Sequence, residues 1–332
     1  MNITVILCTY NRCQELVQAL LSIAASRLPE PVVWEVLVVD NNSSDGTREV
    51  VEGFCSRYPG RFRYLFEPQQ GKSHALNAGI RATQSEILVF ADDDAVVDPD
   101  WMWNLSSSLR GGEWAGAGGR IVPVWPKPIP SWLDTGDPRT MGPFVAFDQG
   151  TAAGPLTRPP YGANMAFRRE AFEKYGGFLT ELGPRPGSEI KGEDIEFGER
   201  LLLAGERLRY EPSAVVHHPV PECRMQKMYV LRWWFWYGRA EVERSGPPSG
   251  AKWLLGGVPL HLLPRLVRWT LQWMISPGAS RRFSCMLNVW YIAGTIVACF
   301  GWKRRPDRQA AAVGDATGAH PKRPAPQVGA PS

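Results

Sequence analysis

Cysteine is scarce in this 332-residue chain, and the six present (Cys8, Cys13, Cys55, Cys223, Cys285 and Cys299) form no Cys-x-x-Cys pair. Neither a zinc centre nor a disulfide framework is indicated, and a reducing compartment fits best. The N-terminus has no basic segment, and its apolar run, Ile3 to Leu7, is too short for a signal sequence, which argues against secretion. No Gly-x-Gly-x-x-Gly follows that first strand pattern; Cys8-Thr9-Tyr10-Asn11-Arg12 stands there instead. This excludes a dinucleotide-dependent dehydrogenase and the glycine-rich phosphate loop of a nucleotidyltransferase. Internal repeats are absent. Acidic residues are rare late in the chain: from Cys223 to Arg308 there are 14 Lys/Arg against 3 Asp/Glu, a balance of +11 inside a net charge of only +4. The first 222 residues are therefore acidic, at −8, and the chain is electrically divided.

Eight of the 14 tryptophans fall between Trp233 and Trp302, in the same basic stretch. Trp and Tyr favour a membrane interface and Lys/Arg favour anionic headgroups. Nucleic acid, the rival partner for basic and aromatic residues, is disfavoured because the stretch is too apolar for a solvated groove. Ser284 to Trp302 is 19 residues without a charge, near the lower limit for a bilayer span. It reads as a span or as a helix lying on the membrane. Trp253 to Ile275, interrupted by Pro259, Pro264, Arg265 and Arg268, reads as one or two interfacial helices. The Ala/Pro/Gly-rich tail, 306–332, is expected to be disordered.

Strand and helix patterns alternate through the first half: strands at 3–7, 34–39, 62–66 and 86–91, and helical spacing over Leu16, Ala19, Leu20 and Ile23, then over 47–58 and 72–83. That order implies a mainly parallel α/β sheet with helices on both faces. Ligands sit beyond the carboxyl ends of strands in such sheets. Polar clusters fall at that edge after Leu7, after Val39 and after Phe90, where Asp92-Asp93-Asp94 follows a buried strand pattern. Three adjacent carboxylates repel one another and lose solvation there; a divalent cation bridging a diphosphate would relieve both costs. A solvated acidic turn is the plainer reading, against which the apolar Ile87 to Ala91 lead-in counts. Residues 111–160 are rich in Gly and Pro and predict long loops with a short strand at 119–124; 192–204 predicts a helix that opens on Glu193-Asp194. Two acids at a helix N-terminus also serve as ordinary capping.

These segments together resemble family 2 glycosyltransferases with the GT-A nucleotide-sugar fold, over about Ile3 to His218. The resemblance rests on Thr9-Tyr10-Asn11-Arg12, on Asp40 through Thr47, on Gly71 through Gly79, on Asp92-Asp93-Asp94, on Gly162-Ala163-Asn164-Met165, and on Glu193-Asp194 with Phe197, Arg200-Leu201 and Gly205. It implies an inverting transferase that moves a hexose-type sugar from a nucleotide diphosphate donor, with Mn²⁺ or Mg²⁺, to a glycan or lipid-linked acceptor in cell-envelope polysaccharide synthesis. Thr9 and Tyr10 would lie over the base, Tyr10 by stacking, with Asn11 and Arg12 also on the donor; Asp40 would accept from the base or cap its own turn. Lys72 would stand near base or phosphate, Asn77 would orient its loop, and Gly162 and Asn164 would approach the sugar. Asp92 would hold ribose, sugar or metal, Asp94 the metal, and Asp93 either. His217 or His218 would add a metal or phosphate contact, or the two would pack as a pair. Asp194 would be the general base and Glu193 its partner. Cys8, where many members carry proline or another small residue, departs from the pattern. The implied organisation is a catalytic domain over 1–222, donor-binding to about 110 and acceptor- and base-bearing after it. A basic membrane-associated region over 223–305 follows, on the cytoplasmic face. A catalytically inactive nucleotide-sugar or carbohydrate-binding protein of the same fold is the alternative; it would have lost the acids, yet Asp94 and Asp194 are present.

Overall fold

The computed structural model describes residues 1–188, 190–248, 254–255 and 257–301; the predicted tail over 306–332 lies outside them. The chain opens with β1 (Asn2–Thr9), α1 (Cys13–Ala24), β2 (Val33–Asp40), α2 (Thr47–Arg57), β3 (Phe62–Phe66), α3 (Lys72–Arg81) and β4 (Ile87–Asp92). Each falls within one or two residues of its sequence expectation. Then come β5 (Val96–Val97), α4 (Trp101–Ser107), β6 (Gly116–Val124), α5 (Pro138–Met141), β7 (Gly154–Pro155), β8 (Met165–Arg168), α6 (Arg169–Tyr175), α7 (Glu193–Leu203) and β9 (Leu208–Pro219). The helical end comprises α8 (Lys227–Ser245), a small hairpin of β10 (Leu254–Leu255) and β11 (Val258–Pro259), α9 (Leu262–Ile275) and α10 (Ala279–Gly301).

The main sheet runs in the order β3-β2-β1-β4-β8-β6-β9-β5, with β7 added beside β9. Strands β3, β2, β1 and β4 are parallel, as are β6 and β9; β8 enters antiparallel between β4 and β6. The alternation of a buried strand divides β1 between two cores. Ile3, Val5 and Leu7 pack with the apolar stripe of α1 (Leu16, Ala19, Leu20 and Ile23), while Ile6 joins Leu76, Phe90, Phe167 and Phe197 on the other face. Gly79 in α3 lets that helix lie on the sheet, since a methyl there would stand 2.7 Å from Ile6.

Strand β9 runs unbroken from Leu208 to Pro219, and its register against β6 shifts between Gly119 and Arg120. The interfacial helix expected over 253–275 begins later, at Leu262, with β10 and β11 before it. Helices α8 and α10 pack on the sheet domain: Leu133, Phe144, Val220, Val230, Leu231, Phe283 and Leu287 form one cluster, and Trp132 meets Phe283 edge-on at 4.6 Å. Of the described helices, α10 is the one long and apolar enough to cross a membrane, by length and composition alone.

Candidate active site

The register of parallel strands places three chain segments at one sheet edge. Thr9 lies level with Asp40 on β2, and Cys8 level with Asp92 on β4. A cavity of about 730 Å³ opens there, bounded by the ends of β1 and β4, the start of α3, the 161–163 turn, the start of α7, His218 and α8. It gathers Thr9, Tyr10, Arg12, Lys72, Asp92, Asp93, Asp94, Gly162, Glu193, Asp194 and His218 from residues far apart in sequence.

Asp92, Asp94 and His218 point one ligand atom each into a space less than 4.8 Å across. His218 Nε2 is 3.3 Å from Asp94 Oδ1 and 3.8 Å from Asp92 Oδ2. Two ligands of a divalent cation, each at about 2.1 Å, stand about 3 Å apart, so these separations suit a shared ion. Asp94 Oδ1 and His218 Nδ1 are buried without a hydrogen-bond partner, a cost that an ion at Asp94 would relieve. The donor set therefore fits a divalent metal. His217, the other histidine of the pair, faces away: its Nε2 meets the exposed Asp98 at 3.0 Å.

Two cations stand between the acids. Arg12 Nη1 donates to Asp94 Oδ2 at 2.7 Å and Asp93 Oδ1 at 3.1 Å. Lys72 Nζ donates to Asp92 Oδ1 at 2.8 Å and lies 3.5 Å from Glu193 Oε1. Burial alone would raise Asp92, but Lys72, His218 and Arg12 override it and hold the group at about 2. For Asp93 burial prevails over Arg12, and it rises to about 6 with Asp94 and Asp92 adding to the push. Burial disfavours the charge on Lys72, yet Asp92, Glu193 and Asp194 outweigh it and the ammonium is firmly retained. Cys8 contributes only a neutral thiol to the wall, since burial pushes its pKa well up.

Glu193 and Asp194 are the first two residues of α7, behind Gly192 at φ +105°, a left-handed turn that suits glycine. Asp194 Oδ2 accepts from Gly162 N–H at 2.6 Å and Oδ1 from Ile195 N–H at 2.8 Å. A methyl at Gly162 would sit 3.2 Å from the Asp194 carboxylate, a tight contact that would push the carboxylate by a few tenths of an ångström. Burial and neighbouring Glu193 raise Asp194 to about 6 despite Lys72 and those two amides. This is a carboxyl poised to exchange a proton near neutral pH.

Five residues singled out in the sequence do not line this cavity. Asp40 is buried with Oδ1 accepting from Ser43 N–H and Oδ2 from the Tyr64 hydroxyl. Asn11 accepts from Ser44 N–H and so ties the β1 turn to the β2 turn. Asn77 brackets both backbone groups of Phe178. Asn164, fully buried, accepts from Trp101 Nε1 and donates to the carbonyls of Arg120 and Ala214. With His217, these hold loops rather than face the cavity. Conversely, sequence reasoning missed Tyr161, Arg185, Lys191, Arg224, Trp233 and Tyr237 in the wall. Trp233 and Tyr237, one turn apart on α8, stack at 5.1 Å with their rings 7° from parallel. The Trp-rich pattern of α8 was visible, but it reads as a membrane signal until the helix is seen folded over the site.

Comparison with known proteins agrees with this geometry. The succinoglycan biosynthesis protein ExoM of Rhizobium meliloti is 30% identical over 309 residues, 91% of this chain and 94% of its own length. The glucosyl-dolichyl phosphate glucuronosyltransferase of Haloferax volcanii is 26% identical over 249 residues, 72% of this chain and 75% of that protein. Among solved structures, the mannosyltransferase PcManGT of Pyrobaculum calidifontis, in complex with GDP-Man and Mn²⁺, shares the fold with a TM-score of 0.60 at 20% identity, covering 91% of this chain and 88% of its own. The profile of glycosyl transferase family 2 matches residues 4–176. With its sheet edge, its acidic cluster and these relatives in accord, the chain belongs to glycosyl transferase family 2.

Proposed function

We propose that the protein is an inverting, divalent-metal-dependent transferase that moves a hexose-type sugar from a nucleoside diphosphate to a hydroxyl of a glycan or lipid-linked acceptor. The observation that carries this reading is one cavity holding both a carboxyl near pKa 6, Asp194, and the Asp92–Asp94–His218 cluster. Asp92, Asp94 and His218 would hold the metal, and the imidazole favours Mn²⁺ over Mg²⁺, which prefers oxygen alone. When bound, the ion neutralises charge that builds on the leaving diphosphate.

The remaining chemistry falls to side chains. Tyr10, 45% exposed at the end of β1, offers a ring for the base to stack on. Arg12 keeps Asp93 and Asp94 aligned and presents its guanidinium to donor phosphates. Lys72 balances Asp92 and Glu193, so a dianionic donor meets a less acidic wall. Asp194 takes the acceptor hydroxyl proton as that oxygen attacks the anomeric carbon, and the Gly162 and Ile195 amides fix its two oxygens. The Trp233–Tyr237 stack, with Tyr161, Arg185 and Arg224, supplies an aromatic and cationic side for the acceptor.

Residues 1–110 thus serve the donor, 111–222 the base and acceptor, and the helices after Cys223 cover the site. On this reading the product is a surface or envelope polysaccharide assembled at the cytoplasmic face of the membrane; similarity to the succinoglycan biosynthesis protein ExoM supports the polysaccharide part. The test is thermal shift of the full chain with UDP-, GDP- and dTDP-sugars, in Mn²⁺ or EDTA, followed by transfer assays. At a ligand concentration of 100 times Kd, binding adds about 2.7 kcal/mol, a rise of several degrees. One nucleotide should give that rise only with Mn²⁺, and Asp94→Ala should remove it. No rise with any nucleotide in Mn²⁺ would refute the reading.

A further inference from the structure

Helix α9 is apolar on two sides. Inward, Leu262, Leu266 and Trp269 pack with Val242, Ile292 and the end of α10. Outward, Leu263, Val267, Leu271 and Met274 recur at intervals of four, four and three, which is a straight stripe along a helix. Val267 is 58% exposed, Leu271 55%, Met274 66% and the adjoining Ile275 79%. A continuous apolar stripe of this kind marks an interaction surface.

Charge indicates what the stripe meets. Arg265 and Arg268 on α9 and Arg281 and Arg282 on α10 are exposed. Between Glu243 and Asp307 the sequence has nine Lys/Arg and no Asp or Glu at all. A second copy is a poor occupant: a two-fold contact sets a patch against itself, and these arginines would face one another with no carboxylate to pair. Residues 302–332 suit no better, with six Lys/Arg against two Asp.

The apolar α10 is not the alternative anchor. Its Phe283, Leu287, Ile292 and Ala298 are buried in protein, and of its large apolar residues only Val297 and Phe300 are exposed. Its backbone touches that of α8: a side chain at Gly294 would collide with the Phe235 carbonyl, and one at Gly238 with the Tyr291 carbonyl. A bilayer-crossing α10 would drag along Arg232, Arg239, Glu241, Glu243 and Arg244 of α8. Charges of that kind are expensive in hydrocarbon.

We propose that α9 lies in the plane of an anionic phospholipid surface, its stripe in the acyl boundary and its flanking arginines among the headgroups. Helix α10 stays inside the protein and holds α9 in place. This goes beyond the transferase reading and does not depend on it.

The experiment is flotation of the full-length protein with phosphatidylcholine vesicles and with phosphatidylcholine–phosphatidylglycerol vesicles. Wild type should bind the anionic vesicles strongly, the neutral ones weakly, and be released by alkaline carbonate. V267E/L271E, at two exposed positions, should lower binding at least tenfold with an unchanged melting temperature. R268E/R281E keeps the stripe and should lose the preference for anionic lipid. Carbonate-resistant binding that survives V267E/L271E would mean that α10 spans, overturning the proposal. So would V267E/L271E dissociating a dimer in sedimentation while vesicle binding stays intact.

Discussion

Replacing Asp194 by Asn separates its chemical role from its structural cost. In the folded protein the carboxyl has a pKa of about 6 against an ordinary 3.8, with burial first and Glu193 second among the causes. A carboxyl raised on folding binds its proton more tightly folded than unfolded. Its ionisation therefore erodes stability as pH climbs from about 4 to about 6, and the full cost is felt above that range. Two units correspond to at most roughly 3 kcal/mol, reduced because the side chain opens on the cavity. Asn removes that charge but keeps one oxygen, so either the Gly162 or the Ile195 amide loses its acceptor, at about 1 kcal/mol or more. Asp194→Asn should therefore melt slightly higher than wild type at pH 7.5, and the difference should vanish near pH 4.5. Donor binding should be unchanged, while kcat should fall roughly 10²–10⁴-fold. In wild type kcat/KM should rise with pH through about 6 as Asp194 ionises, and the variant should lack that limb. Normal turnover by Asp194→Asn would refute the base assignment.

Three further substitutions test the placement of other residues. His218→Ala should weaken Mn²⁺ binding at least tenfold by titration calorimetry, because an imidazole ligand is lost. His217→Ala, which removes only a surface pair with Asp98, should leave metal affinity as it was. Asn164→Ala deletes two buried hydrogen bonds and a partly buried one and should cost about 3–5 kcal/mol in denaturant unfolding, with donor Kd unchanged for the folded fraction. A donor-specific defect with normal stability would return Asn164 to the sugar site. Trp233→Ala should raise acceptor KM by about three- to tenfold through loss of a stacking face while sparing donor binding.

How legible the molecule was depends on the range of the forces involved. Strands β1 to β4 and helices α1 to α3 are written in local pattern: Ile3 to Leu7 is a short apolar, β-branched run, and Leu16, Ala19, Leu20 and Ile23 fall on one helical face. Turn chemistry then put polar clusters at strand ends, Asp92 and Asp94 among them, while Lys72 and Asp194 were singled out by the family resemblance; all four line the cavity. Antiparallel β8 was not visible, since nothing local in Met165–Arg168 records that β4 and β6 flank it.

Side-chain direction was also beyond the sequence. Asp40, Asn77 and Asn164 carry the right functional groups, yet their partners lie 24, 101 and 50 residues away, with Tyr64, Phe178 and Ala214. Only assembly reveals that these partners consume them. His217 and His218 differ solely in which side of β9 they take, and strand alternation sends one to Asp98 and the other to Asp94. The sequence by itself determined the alternating layers, the acids and the basic, aromatic character of the C-terminal third, because these follow from short-range pattern and composition. Tertiary structure alone decided that Trp233 and Tyr237 turn towards the cavity while Val267 and Leu271 face outward, because which face of an apolar helix is covered depends on what packs against it.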